Sequence, residues 1–272
     1  MSIYKSPQWE ARIRECYDAF QASIPIPVSE QMVSTSFGQT HILTMGDPHK
    51  PPLISFHGGN VFNTADTSLL LPLAHHFHVI APDTMGHPGK SDQRILSGKN
   101  LDFGRWAADV VAGLKIEHAR FFGTSFGGGI LLHLAAVAPH LIERAAFLVP
   151  TGFVRASTVD NMMQFGPALL RFTLRKSDEN IRRLLKPLYP DADRLSDEEM
   201  SMFRAIFTGV KLSTSMPRIV AKDELTRFTA PALVIAAEQD VMCPARKVLE
   251  RALKVLPNLT GRVLLEGAPH MA

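Results

Sequence analysis

Apolar residues along this chain recur with two different periods, and the switches between them outline the architecture. Within residues 7–20, Trp9, Ile13, Tyr17 and Phe20 fall at helical spacing, which predicts a short amphipathic helix packing its one apolar face on the main body. Ile24-Pro25-Ile26-Pro27-Val28 is expected to be extended, because each proline pushes its predecessor out of the helical region. Val33 to Phe37 and His41 to Met45, separated by Gly38-Gln39-Thr40, predict a hairpin that opens a sheet. The pattern then alternates. Leu53 to Phe56 and Val79 to Ala81 are short apolar runs divided by a helical segment near 64–76, and Phe103, Trp106, Val110 and Leu114 mark a buried helix stripe. Ala119 to Phe122 reads as a strand, 130–138 as a helix and Ala145 to Val149 as a strand; much later come Ala232 to Ala236, a helix from about 245 to 256, and Arg262 to Leu265. This alternation predicts an α/β fold of about eight strands, mostly parallel, with helices on both faces.

Between Val149 and Ala232 lie roughly 80 residues with almost no strand signal, far more than one crossover requires. Helices fit near 159–175, 178–187 and 197–210, and Ser196-Asp197-Glu198-Glu199 has the capping-box form that starts a helix. The expected organisation is therefore an N-terminal helix and connector over 1–30, a core built from 31–152 and 229–272, and an inserted helical cap over 153–228. Met162, Met163, Phe165, Phe172, Met202, Phe203 and Phe207 are the apolar residues available to roof a pocket. Of these, Met162, Phe165 and Phe207 are expected to contact substrate.

Composition narrows the function classes. The 272 residues carry 20% charged side chains and a net charge of +3, with Lys and Arg scattered, so no footprint for nucleic acid stands out. Cys16 and Cys243 form neither a disulfide framework nor a metal-ligand spacing. The N-terminus lacks the apolar core of a signal peptide, and no uninterrupted apolar run approaches the roughly 18 residues needed to span a bilayer. A cytoplasmic protein acting on a small molecule, with no nucleic-acid or membrane partner, is expected.

The chemistry centres on Phe121 to Ile130, an apolar strand end running through Gly123-Thr124-Ser125-Phe126-Gly127 into a helix. This G-x-S-x-G spacing leaves side chains off the two positions where a tight turn has no room, and it lifts a serine hydroxyl clear of the sheet. Such a hydroxyl needs a base, and the base an orienting carboxylate. In an open α/β sheet both belong beyond the C-terminal ends of strands. Asp240 follows the run 232–236 and His270 the run 262–265, giving the order Ser125, Asp240, His270. Glu238 is a nearby alternative, but it lies closer to its strand and Asp240 is preferred. His57-Gly58-Gly59-Asn60 ends the strand 53–56, and the Gly59 and Phe126 amides are the expected oxyanion donors. Asn60 either contacts substrate or caps the following helix, and His57 holds the loop. His75, His76 and His78 lack an accompanying carboxylate or cysteine, so no metal is expected. Gly89-Lys90-Ser91 fails the phosphate-loop pattern, since Thr84 stands where the leading glycine is required.

Taken together, His57-Gly58-Gly59, Asp83 with Gly86 to Ser91, Gly123 to Gly129, Asp240 and His270 resemble the α/β-hydrolase superfamily over about residues 33–270. Within it, the chain is similar to carboxylesterases with a helical cap, including the bacterial carboxylesterase NP type, whose Phe-Gly-Gln-Thr-His opening appears at Phe37 to His41. Serine at the elbow sets the chain apart from the dehalogenase and epoxide-hydrolase branches, which carry an aspartate there. The resemblance implies the α/β-hydrolase fold and cofactor-free cleavage of a small carboxylic ester through an acyl-enzyme. The same triad also serves carbon–carbon bond hydrolases, lactonases and perhydrolases, and a slow small-molecule receptor of this fold is a third reading. Family members usually continue past the catalytic histidine into a final helix, whereas this chain stops at Ala272, so the expectation is either that the sequence is short there or that other contacts hold the histidine loop.

Overall fold

Alternate residues of the central strands serve two different cores, which is why a helix layer lies against each face of the sheet. In the computed structural model, which describes residues 2–154 and 158–271, Ile42, Ile54 and Ile80 join the larger core with Phe103, Trp106 and Ile130. Their neighbours Leu43, Leu53 and Val79 face the other way, onto Leu70 and Ala74. Period-two patterning of this kind assigns every side chain to a face.

The strands are β1 (Val28–Thr35), β2 (Gly38–Met45), β3 (Pro52–Phe56), β4 (His78–Pro82), β5 (Ala119–Thr124), β6 (Ile142–Leu148), β7 (Ala232–Ala237) and β8 (Leu259–Leu265). They form one sheet in the order β1-β2-β4-β3-β5-β6-β7-β8. β2 runs antiparallel to both neighbours, and the pairs from β4 and β3 through to β8 are parallel. The helices are α1 (Pro7–Ala22), α2 (Thr67–Ala74), α3 (Asp102–Gly113), α4 (Phe126–Val137), α5 (Thr158–Leu174), α6 (Asp178–Leu185), α7 (Asp197–Gly209) and α8 (Ala245–Val255). The expected alternation and inserted helices are present, and the Ser196/Glu199 capping box forms in both directions at 3.1 and 2.8 Å.

Two expectations need correction. The hairpin turn is Ser36-Phe37, not Gly38-Gln39-Thr40, because Thr35 pairs directly with Gly38 and the strands extend to Val28 and Gly38. Residue 31 therefore lies inside β1, which begins at Val28. Secondly, α1 packs mainly on the inserted helices: Ile13, Cys16 and Tyr17 share a core with Met202, Phe203 and Ile206 of α7. An apolar stripe announces that a helix is covered, but not by what.

The Gly-Lys-Ser stretch holds a carboxylate. Asp83, fully buried, accepts from the amides of Asn63 and Lys90 at 3.0 Å and lies 3.0 Å from His41 Nδ1. Gly89, at φ +138°, would press a side chain into that carboxylate, the nearest atom being 2.7 Å from an added Cβ. This anchor joins β2, the loop after β4 and the turn before α2.

Candidate active site

The serine elbow is built from close approaches that only glycine allows. A Cβ on Gly123 would sit 2.7 Å from the Gly127 carbonyl, and one on Gly127 would overlap the Phe56 carbonyl at the end of β3. Between them Ser125 adopts φ 50°, ψ −111°, a backbone region side chains rarely occupy. Surrounding bonds hold it there: its amide donates to Leu148 O at 2.9 Å, while its carbonyl accepts from the amides of Gly128 at 3.0 Å and Thr151 at 2.9 Å. α4 begins at the next residue, so the positive end of its dipole lies beside the hydroxyl.

The structure brings the three sequence-predicted side chains together. Ser125 Oγ lies 2.9 Å from His270 Nε2, and His270 Nδ1 lies 2.7 Å from Asp240 Oδ2. Asp240 accepts the amides of Met242 and Cys243 on its other oxygen, both at 2.8 Å. The histidine loop is fastened by several bonds: Gln239 N to Ala268 O at 2.9 Å, Gly267 N to Glu238 Oε2 at 2.7 Å, and Met271 N to Leu188 O at 2.9 Å. Glu238 thus serves the loop from an exposed position and does not face the imidazole. Asp240, Cys243 and His270 place ligand-type atoms within 4.8 Å of one another. Two of those atoms already engage each other, and burial next to Asp240 pushes the Cys243 thiol pKa upward, so the arrangement suits proton transfer.

Gly59 packs against Phe126, with 3.3 Å between an added Cβ and the phenylalanine Cβ. Among the described residues, neither amide donates to a protein acceptor. His57 is structural, accepting the Thr84 amide on Nε2 at 2.9 Å and contacting Gly58 O through Nδ1 at 2.7 Å. Asn60 lines the adjoining cavity but does not cap a helix, because its amide group is engaged with the backbone of Ser213.

That cavity, of about 690 Å³, opens above Ser125 and is lined largely by apolar side chains, among them Leu185, Met202, Phe203, Phe207, Leu212 and Met216. Phe207 is thus placed in the cavity wall, whereas Met162 and Phe165 are not among its lining residues. The reason is helix rotation: α5 buries Ala168 and Phe172 and turns Met162, 69% exposed, to the outside. Phe172 contributes indirectly, its ring 6.0 Å from that of Phe207. Sequence reasoning missed Leu185, Leu212 and Met216, the latter two on an irregular stretch with no periodic signal. It also passed over Asp66, which lines the cavity and accepts the Gly58 amide at 3.3 Å, with burial raising its pKa.

Two buried histidines near this region make stability sensitive to acid. Burial lowers the pKa of His87 to about 3 and that of His133 to about 4. Since the unfolded values lie near 6.5, the unfolded chain binds more protons below that pH, and stability falls as pH drops from about 6.5 toward 4. Each histidine contributes a slope of up to about 1.4 kcal/mol per pH unit. The melting temperature should therefore decline steadily between pH 7 and pH 4.5, and less steeply in His133→Gln. A flat profile would contradict this account.

The sheet order, the antiparallel second strand and the strand-elbow-helix seat define a hydrolase-type α/β fold, and the comparisons agree. The alpha/beta hydrolase family matches residues 53–272, and the chain belongs to that family. It is 24% identical over 275 residues to carboxylesterase YbfK of Bacillus subtilis, covering 96% of this chain and 88% of that protein. The crystal structure of naproxen esterase (carboxylesterase NP) from the same species superposes with a TM-score of 0.84 at 23% identity, covering 98% of this chain and 93% of the other. A 2-hydroxymuconate semialdehyde hydrolase from a Pseudomonas species is 32% identical over 155 residues, 54% of this chain and 50% of that one.

Proposed function

We propose that this protein hydrolyses neutral carboxylic esters with an apolar acyl or alcohol portion through a covalent acyl-enzyme. Ser125 attacks the ester carbonyl while His270 takes its proton, and Asp240 holds the imidazole in the tautomer with Nε2 free to accept. The Gly59 and Phe126 amides receive the oxyanion, and His270 returns the proton to the leaving alcohol. Water then repeats the sequence to release the acid. The observation that carries this reading is the bonded chain from Ser125 to Asp240 beneath an apolar cavity, beside two amides with no protein acceptor among the described residues.

The muconate-type relative suggests carbon–carbon bond hydrolysis as a second reading. Such a substrate carries a carboxylate. Among the described residues the cavity lining includes no Lys or Arg to pair with such a carboxylate, an environment that disfavours an anionic substrate. Kinetics on a p-nitrophenyl ester series test the choice. A neutral butyrate ester should exceed a carboxylate-bearing succinate monoester by at least about tenfold in kcat/KM. A fluorophosphonate should add one phosphonyl group to the peptide containing Ser125. Preference for the anionic ester, or labelling elsewhere, would overturn the proposal.

A further inference from the structure

We propose that Asn60 is a positioning residue that couples the oxyanion loop to the chain segment leading out of the inserted helices, so that the aim of the Gly59 amide depends on how that segment is seated. The inference rests on the ester-hydrolysis reading and adds to it a residue that touches no reacting atom.

The side-chain amide of Asn60 pairs with one backbone unit as a neighbouring strand would. Its Oδ1 accepts from Ser213 N at 2.8 Å and its Nδ2 donates to Ser213 O at 3.2 Å. The two residues are 153 positions apart, so the pair bridges the end of β3 and the irregular stretch after α7. That stretch carries Leu212 and Met216 into the cavity lining. It is tied down again by Ser215 Oγ, which donates to Leu96 O and accepts from Gly98 N, both at 2.7 Å.

The backbone of Asn60 is held as tightly. At φ 57° it occupies the left-handed region that asparagine tolerates better than most residues. Its N–H donates to His87 Nδ1 at 3.2 Å, and burial keeps that imidazole neutral with a lone pair available. Gly58 and Gly59, immediately before it, have no side chains to restrict them, and the Gly58 amide reaches Asp66 only at 3.3 Å. The carbonyl of the Gly59 peptide, Gly58 O, is held by His57 Nδ1 at 2.7 Å, and Asn60 supplies the restraint on the other side of Gly59. An oxyanion donor displaced by a few tenths of an ångström loses transition-state stabilisation while substrate, held by the apolar walls, still binds.

The test is kinetic. Asn60→Gly keeps the N–H bond to His87 and relieves any left-handed strain but removes the bridge to Ser213; Asn60→Ala removes the bridge and adds strain. Both are expected to lower kcat on p-nitrophenyl butyrate by about 10- to 100-fold with KM within about threefold. Affinity for a trifluoromethyl ketone, which forms a tetrahedral oxyanion, should weaken by a similar factor, and affinity for the matching alcohol should not change. If Asn60→Gly recovers wild-type kcat while Asn60→Ala does not, the asparagine only relieves backbone strain and the inference is overturned. A rise in KM at unchanged kcat overturns it equally. A wild-type protein inactive on every ester would instead remove the ester reading, which separates the two failures.

Discussion

Replacing Ser125 with alanine is expected to lower ester turnover by about 10,000-fold or more while leaving the fold unchanged. The expectation has two independent parts. Chemically, no other hydroxyl in the described structure is hydrogen-bonded to His270, and loss of a triad nucleophile leaves only the modest rate enhancement due to oxyanion stabilisation and binding. Structurally, alanine keeps the Cβ that already occupies the strained conformation, so the φ of 50° costs no more than before. The bonds to Leu148, Gly128 and Thr151 come from the backbone and survive. The melting temperature should stay within a few degrees, and adding His270→Ala should reduce the residual rate little, because groups that act as a unit are not additive. Turnover by Ser125→Ala within tenfold of wild type would show that the hydroxyl is idle.

The positions of Ser125, Asp240 and His270 were legible because each follows a strand whose apolar run is visible, and a parallel sheet delivers all such strand ends to one edge. The glycines were legible for a different reason: an elbow that leaves no room for a Cβ restricts residue choice at fixed offsets. The cavity wall had neither kind of signal. Met162 and Phe207 both lie on helices with an apolar face, and only tertiary packing decides that α7 turns inward while α5 exposes Met162, Met163, Leu170 and Leu174. The hairpin turn moved for a similarly local reason. Gly38 looks like a turn residue, but its partner is Thr35, so its φ of 136° falls at the first residue of β2. Asn60 combines both situations: its place after the glycine pair was evident, whereas its partner lies 153 residues away in a stretch without periodicity.

Asp240→Asn is expected to be nearly as damaging as loss of the nucleophile, lowering kcat by about 1,000- to 10,000-fold. Asp240 Oδ1 accepts two amides, from Met242 and Cys243, at 2.8 Å each. An asparagine placed there must turn its carbonyl oxygen toward those donors, because its NH₂ group cannot accept. That rotation brings the NH₂ to the Oδ2 position, which faces His270 Nδ1 at 2.7 Å. Two donors cannot share the contact, so the imidazole is driven to the tautomer with its proton on Nε2 and a lone pair on Nδ1. Nε2 then donates to Ser125 Oγ and can no longer take the hydroxyl proton. The variant should remain folded, since every hydrogen bond is replaced, and its substrate KM should change little. Glu238→Gln provides the contrast: among the described residues that side chain accepts only the Gly267 amide, from an exposed position, so its loss should cost less than about tenfold. Steady-state kinetics of the two variants decide between the carboxylates, because an Asp240→Asn enzyme within tenfold of wild type would mean that the imidazole takes its orientation from another group.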